Sequence, residues 1–136
     1  MQPTMLVVDD DVDIVICVVA EAKARGYGAV GTIDPTEVRQ RVREHRPDVL
    51  VLDLQMGRHD GRDVLAQIKA NAETATTVVV VISGLDDPHT ITLCHAYGAA
   101  DFVRKPFHLD DLFRRIELAL RARPRIDIRP RDGEAG

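Results

Sequence analysis

Apolar runs divide the chain into strand signals. Met5-Leu6-Val7-Val8, Val49-Leu50-Val51-Leu52 and the stretch from Thr76 to Ile82 show no alternation with polar residues, the look of strands buried on both faces in a parallel sheet. Gly28-Ala29-Val30-Gly31-Thr32 and the segment from Ala100 to Val103 are weaker strands. Between them the spacing turns helical. Asp34-Pro35 opens a helix running to about His45, and Arg62 to Ala70 carries Val64, Leu65 and Ile68 at core spacing. Asp87-Pro88 opens another helix, closed by Gly98, and Leu109, Leu112, Phe113, Ile116 and Leu120 mark the apolar face of the last. Val12 to Arg25 is ambiguous, because Ile14 to Val19 is apolar, continuous and largely β-branched, which suits a strand. A helix is preferred: acids precede it, Ala20 to Arg25 are helix formers, and Gly26 is a stop. Strand then helix, five times over, predicts a parallel sheet covered by helices on both sides through right-handed crossovers.

Length and composition narrow this further. The 136 residues fit one domain, and 45% hydrophobic with 29% charged residues is the balance of a soluble globular protein. Residues 1–121 are read as that domain and 122–136, rich in Arg and without a sustained period, as a flexible tail or linker stub. Positions 1–120 hold 13 Lys/Arg against 19 Asp/Glu, a balance of −6, whereas 121–136 hold 5 against 3. An acidic body argues against a nucleic-acid groove. Cys17 and Cys94 lie in apolar surroundings without CxxC spacing and read as buried free thiols. With neither a signal peptide nor a run long enough to span a bilayer, a cytoplasmic protein with no membrane partner is expected.

The chemistry gathers where strands end. Asp9-Asp10-Asp11 follows the first strand, Asp53 ends the third, Ser83 the fourth, and Lys105 follows the fifth. In a doubly wound sheet with the first, third and fourth strands central, these groups converge at the carboxyl edge, where such folds bind ligands. Two carboxylates about 4 Å apart repel by on the order of 4 kcal/mol at an effective dielectric near 20. Either their pKa values rise or a cation enters. Oxygen donors with room for water suit Mg²⁺, with Mn²⁺ as the alternative. Asp10 and Asp53 are the expected direct ligands, Asp9 acts through water or beside them, and the backbone carbonyl of Gln55 is a third protein oxygen. Lys105 and Ser83 then complete a phosphoryl pocket in which Asp53 attacks phosphorus in line and becomes an acyl phosphate.

On Val7-Val8-Asp9-Asp10, Val51-Leu52-Asp53 with Met56 and Asp60-Gly61, Ile82-Ser83-Gly84 and Lys105-Pro106-Phe107, in that order, the chain resembles the receiver domain of bacterial two-component response regulators. The resemblance implies a flavodoxin-like (βα)5 fold with strand order 2-1-3-4-5 and phosphorylation of Asp53 by a histidine kinase or phosphotransfer protein. It also implies a switch: Ser83 moves to the phosphate, Phe102 swings inward, and the face of helix 4, strand 5 and helix 5 changes for a downstream protein target. Lys105-Pro106 resembles the family's cis peptide. Three positions depart from the pattern: Gly57 stands in place of Pro, Phe102 lacks a Tyr hydroxyl, and Gly84 stands where Ala is common. The resemblance implies a phosphoacceptor and no enzyme beyond self-phosphorylation and self-dephosphorylation, with a stand-alone receiver preferred to one domain of a longer chain.

Other readings compete at particular residues. An Asp-nucleophile phosphatase of the haloacid dehalogenase type wants a second Asp two positions after the first, where Gln55 stands. A flavodoxin-type FMN binder wants a Ser/Thr/Gly-rich loop where this chain has three acids, and a receiver fold serving only as an unphosphorylated interaction module leaves the acids and Lys105 without a use. The five histidines show no zinc spacing; His59 lies close enough after Asp53 to modulate access. If Ile14, Cys17 and Val18 face the sheet, Val15, Ile16 and Val19 form an exposed strip suited to a phosphodonor helix or a homodimer; the alternative is a wider buried face.

Overall fold

The computed structural model describes residues 2–85 and 87–123. The elements in order are β1 (Thr4–Val8), α1 (Val12–Ala24), β2 (Gly28–Thr32), a 3-10 turn (Pro35–Glu37), α2 (Val38–His45) and β3 (Val49–Asp53). There follow β4 (Gln55–Met56), β5 (His59–Asp60), α3 (Gly61–Ala70), β6 (Val78–Ser83), α4 (Pro88–Ala96), β7 (Asp101–Arg104) and α5 (Leu109–Ala122). The main sheet is parallel in the order β2-β1-β3-β6-β7, which is 2-1-3-4-5 once the two-residue strands β4 and β5 are set aside. This is the flavodoxin-like, doubly wound arrangement. Among the described residues, no helix is long and apolar enough to cross a membrane.

Alternation along each strand, hidden in the uniform apolar runs, separates two core layers. Met5, Val7, Val49, Val51, Val80 and Ile82 pack under α1 and α5, against Val15, Val18, Leu112, Phe113 and Ile116. Leu6, Val8, Leu50, Leu52, Val79 and Val81 face α2, α3 and α4, against Val38, Val42, Leu65, Ile68 and Cys94. Every residue of β3 and β6 is therefore buried, as central strands of a covered sheet must be. Each fully buried Leu, Phe or Ile of α5 contributes roughly 1.5–3 kcal/mol of transfer free energy, enough to hold that helix despite its charged outer face.

The helical reading of α1 holds despite its β-branched residues. Asp11 caps it, its carboxylate accepting the N–H of Asp13 at 3.0 Å, and packing on the sheet outweighs the weak intrinsic propensity. Its phase differs from the expectation. Val15, Val18 and Ala22 are buried, Ile14 and Val19 pack partly against the core, and Cys17 is exposed. The strip of Val15, Ile16 and Val19 that an inward Ile14, Cys17 and Val18 would expose therefore does not form, and the alternative of a wider buried face is nearer; the exposed large hydrophobic residues of α1 are Val12 and Ile16. In a run this uniformly apolar, sequence does not fix which stripe faces inward, because each residue turns the helix by about 100°. Cys94 is buried as expected. At the carboxyl end α5 runs to Ala122 and Arg123 pairs with Asp48 at 3.0 Å; residues 124–136, most of the expected tail, lie outside the described residues.

Candidate functional site

Strand register assembles the site. Val8 lies opposite Leu52, so Asp9, one step on, comes level with Asp53; Asp53 lies opposite Ile82, one step before Ser83; and Ser83 lies opposite Arg104, one step before Lys105. The Lys105 N–H donates to the Ser83 carbonyl at 2.8 Å, joining the last two strand ends. One carboxylate oxygen each from Asp9, Asp10 and Asp53 falls within a 4.8 Å cluster. Asp9 and Asp53 are buried and Asp10 is exposed, so the cluster opens to solvent on one side.

Local hydrogen bonds fix the acids. Asp9 Oδ1 accepts the Asp11 N–H at 2.9 Å, and Asp53 Oδ1 accepts the Gln55 N–H at 3.3 Å. Lys105 Nζ sits 2.8 Å from Asp9 Oδ2 and 3.3 Å from Asp53 Oδ1. Burial, then the negative charge of Asp9, pushes the Asp53 carboxyl up to about 6, with Lys105 and the Gln55 N–H pulling the other way. Burial pulls Lys105 downward, but the close contact with Asp9 and the charges of both aspartates outweigh it and hold the ammonium above its usual range.

One ammonium faces three carboxylates. Asp9 Oδ2, fully buried, has no well-aligned hydrogen bond and relies on the ion pair with Lys105. An all-oxygen cluster with surplus negative charge and a solvent-facing side is the donor set of a hard divalent cation, so these residues fit a divalent-metal site.

Ser83 and Phe102, the two residues expected to switch, make other contacts. Ser83 is fully buried, and its Oγ accepts the Leu85 N–H at 2.9 Å, holding the start of the loop to α4. Phe102 is only 7% exposed: its ring packs in the core layer with Cys94 and also lines a cleft of about 480 Å³ with Ile91, His95, Phe107 and Arg115 between α4 and α5. The Lys105–Pro106 peptide is cis. A Cβ on Gly84 meets nothing within 4 Å, so an Ala there fits without displacing a neighbour.

Two features near Asp53 escaped the sequence reading. The loop after it is a miniature hairpin, with Gln55 opposite Asp60 and Met56 opposite His59. Gly57 turns it at φ +59°, with φ negative at Arg58, the signature of a type II′ turn that needs glycine first. His59 is exposed on this hairpin and adds to the positive potential that keeps Asp34 below the usual carboxylate range, an effect due first to the Thr36 hydroxyl. The second feature is Gly61, where a Cβ would come within 2.5 Å of the Asp53 carbonyl oxygen and 2.7 Å of Leu54 Cα. α3 thus starts directly against the backbone that carries Asp53. The Asp60-Gly61 pair was the available signal.

The comparisons with known proteins agree with this geometry. Residues 5–117 match the model of the response regulator receiver domain. The chain is 33% identical over 122 residues to the transcriptional regulatory protein PrrA of Mycobacterium tuberculosis, covering 89% of this chain and 51% of that protein. It is 34% identical to a protein-glutamate methylesterase/protein-glutamine glutaminase of Anaeromyxobacter dehalogenans, covering 96% of this chain and 39% of that protein. The chain thus spans about half or less of the length of these curated relatives. Among solved structures it superposes on the signal receiver domain of a Luxo repressor protein from Vibrio parahaemolyticus with a TM-score of 0.82, at 25% identity, covering 89% of this chain and 92% of that one. The chemotaxis response regulator CheY4 of Vibrio cholerae shares the fold, with a TM-score of 0.81 at 21% identity, covering 88% of this chain and 99% of that one. On a family match spanning most of its length, with acids and lysine at the matching strand ends, the chain belongs to the response regulator receiver domains, the phosphoacceptor units of two-component signalling.

Proposed function

We propose that Asp53 is the phosphoacceptor, taking a phosphoryl group from a phosphohistidine on a kinase or phosphotransfer protein, with Mg²⁺ held by Asp10, Asp53 and the Gln55 backbone carbonyl and by Asp9 through water. The observation that carries this is the placement of Asp53: buried at a strand end, between a second buried carboxylate and the Lys105 ammonium. Mg²⁺ bound there neutralises the carboxylates and the phosphoryl oxygens, so that anion can approach anion. One Asp53 carboxylate oxygen attacks phosphorus in line, the donor's N–P bond breaks, and the imidazole leaves with the electron pair. Lys105, already within 3.3 Å of Asp53, then pairs with a phosphoryl oxygen in place of a carboxylate.

The same geometry supports a route outward. A rotation of the Ser83 side chain toward a phosphoryl group on Asp53 would carry its Oγ away from the Leu85 N–H, freeing the loop that leads to α4. That helix is lightly anchored, with only Thr90 and Cys94 fully buried among its residues. A shift of α4 reshapes the cleft it forms with β7 and α5, the surface through which a target protein reads the phosphorylated state. Incubation of the full chain with acetyl phosphate and Mg²⁺, followed by intact mass, tests the proposal. One phosphoryl group is expected on the wild type and none on Asp53→Ala; equal uptake by both, or none by the wild type with any small donor or histidine phosphodonor, overturns it.

A further inference from the structure

A second polar cleft, of about 760 Å³, lies between α2 and α3, away from the acidic site and from the α4–α5 face. Arg39 and Arg43 line it, together with Gln40 and Thr36 from the α2 side and Gln67 and Asn71 from the α3 side. None of its lining residues is acidic or aromatic. In a body with a balance of −6 over residues 1–120, this is a local reversal of sign: Arg39, Arg41, Arg43 and Arg46 fall within eight residues, against Glu44 alone. Arg41 is taken up by Glu37 at 3.2 Å, and Glu44 by the Gln40 side chain at 2.6 Å. Arg39 and Arg43 remain, both exposed and without an ion pair among the described residues.

Helix stability does not account for Arg39. A cation in the first turn opposes the helix dipole, and the first turn of α2 contains no acid. From this we infer that the α2–α3 cleft is a docking site for an extended, acidic peptide segment of a partner protein, a contact separate from phosphoryl transfer. Arg39 and Arg43 stand one turn apart, about 6 Å along the helix. Side chains two apart on an extended chain are spaced by about 6.6 Å, so the two guanidinium groups match carboxylates at alternate positions of such a segment. Gln67, Asn71 and Thr36 supply donors and acceptors for its main chain. A nucleic-acid strand fits worse, since the cleft offers no ring for bases to stack on and the surrounding body repels a long polyanion.

The test is fluorescence anisotropy on the full chain with three labelled probes: a peptide of alternating Glu and Ser, its Gln-and-Ser counterpart, and a single-stranded thymidine oligomer of similar length. The Glu peptide is expected to bind at least tenfold tighter than the Gln peptide and to weaken with salt. Arg39→Glu with Arg43→Glu should lower its affinity tenfold or more, while reversal of the exposed Arg58 and Arg121 leaves it within twofold. Unchanged circular dichroism and Asp53 labelling in the cleft variant show that folding and the acidic site are intact. No binding of the Glu peptide, equal loss in both double variants, or tighter binding of the oligonucleotide overturns the inference.

Discussion

Replacing Asp53 by Asn should stabilise the metal-free protein at neutral pH, although it removes the proposed phosphoacceptor. In the folded chain this carboxyl is pushed up to about 6, first by burial and then by Asp9, whereas in the unfolded chain it titrates near 3.9. Between those values the folded state binds more protons than the unfolded state, so stability falls as pH rises through the window. The full loss, at about 1.4 kcal/mol per pH unit, is about 3 kcal/mol, nearly complete by pH 7.5 and largely absent at pH 4. Asn keeps the acceptor for the Gln55 N–H and abolishes the titration, leaving Lys105 paired with Asp9. Urea unfolding followed by circular dichroism, in EDTA from pH 4 to 7.5, should show the variant gaining roughly 2 kcal/mol relative to wild type over that range. Adding Mg²⁺ at about 100 times its dissociation constant should return about 2.7 kcal/mol to the wild type and much less to the variant. Parallel pH profiles for the two proteins in EDTA, or a variant less stable than wild type at pH 7.5, would refute the claim that the carboxylates are crowded against one another.

Lys105→Met leaves Asp9 and Asp53 buried without their ammonium and should cost about 3–5 kcal/mol in EDTA, partly recovered by Mg²⁺; chemical denaturation measures both. Gly61→Ala sets a Cβ against the Asp53 backbone, which has no flexible end to yield, and should lower stability by about 1–3 kcal/mol and slow Asp53 labelling by mass. Lys69, whose Nζ donates to the Ala75 and Thr77 carbonyls, is held below its usual pKa by burial. Lys69→Met should therefore cost about 1–3 kcal/mol at neutral pH. Because folded Lys69 holds fewer protons than unfolded Lys69 in the alkaline window between their pKa values, thermal melts should show the wild type gaining on that variant as pH rises there. Ser83→Ala should keep phosphoryl uptake on Asp53 while removing the phosphorylation-dependent change in hydrogen exchange over residues 84–96, since it deletes the hydroxyl that links the loop at Leu85 to the site.

The run from Val49 to Asp53 carries both its burial and its chemistry in the sequence, because a covered parallel strand tolerates only apolar residues until it reaches the sheet's edge. Alternation of such runs with helical spacing fixes the (βα)5 order, and the positions of Asp9, Asp10, Ser83 and Lys105 at successive strand ends follow from it. Tertiary structure alone decides the rest. Which stripe of α1 is buried, with Val15 inward and Cys17 outward, depends on how the helix settles on the sheet, since a uniformly apolar run gives no phase of its own. The hairpin after Asp53 and the close approach at Gly61 are matters of backbone meeting backbone, for which Gly57 and Gly61 are necessary but which they do not specify on their own. Lys105 reaches both Asp9 and Asp53, at 2.8 Å and 3.3 Å, because hydrogen-bonded ladders between distant segments bring these strand ends to one edge. The pairing of Arg39 with Arg43 across from Gln67 and Asn71 likewise exists only once α2 and α3 are laid side by side.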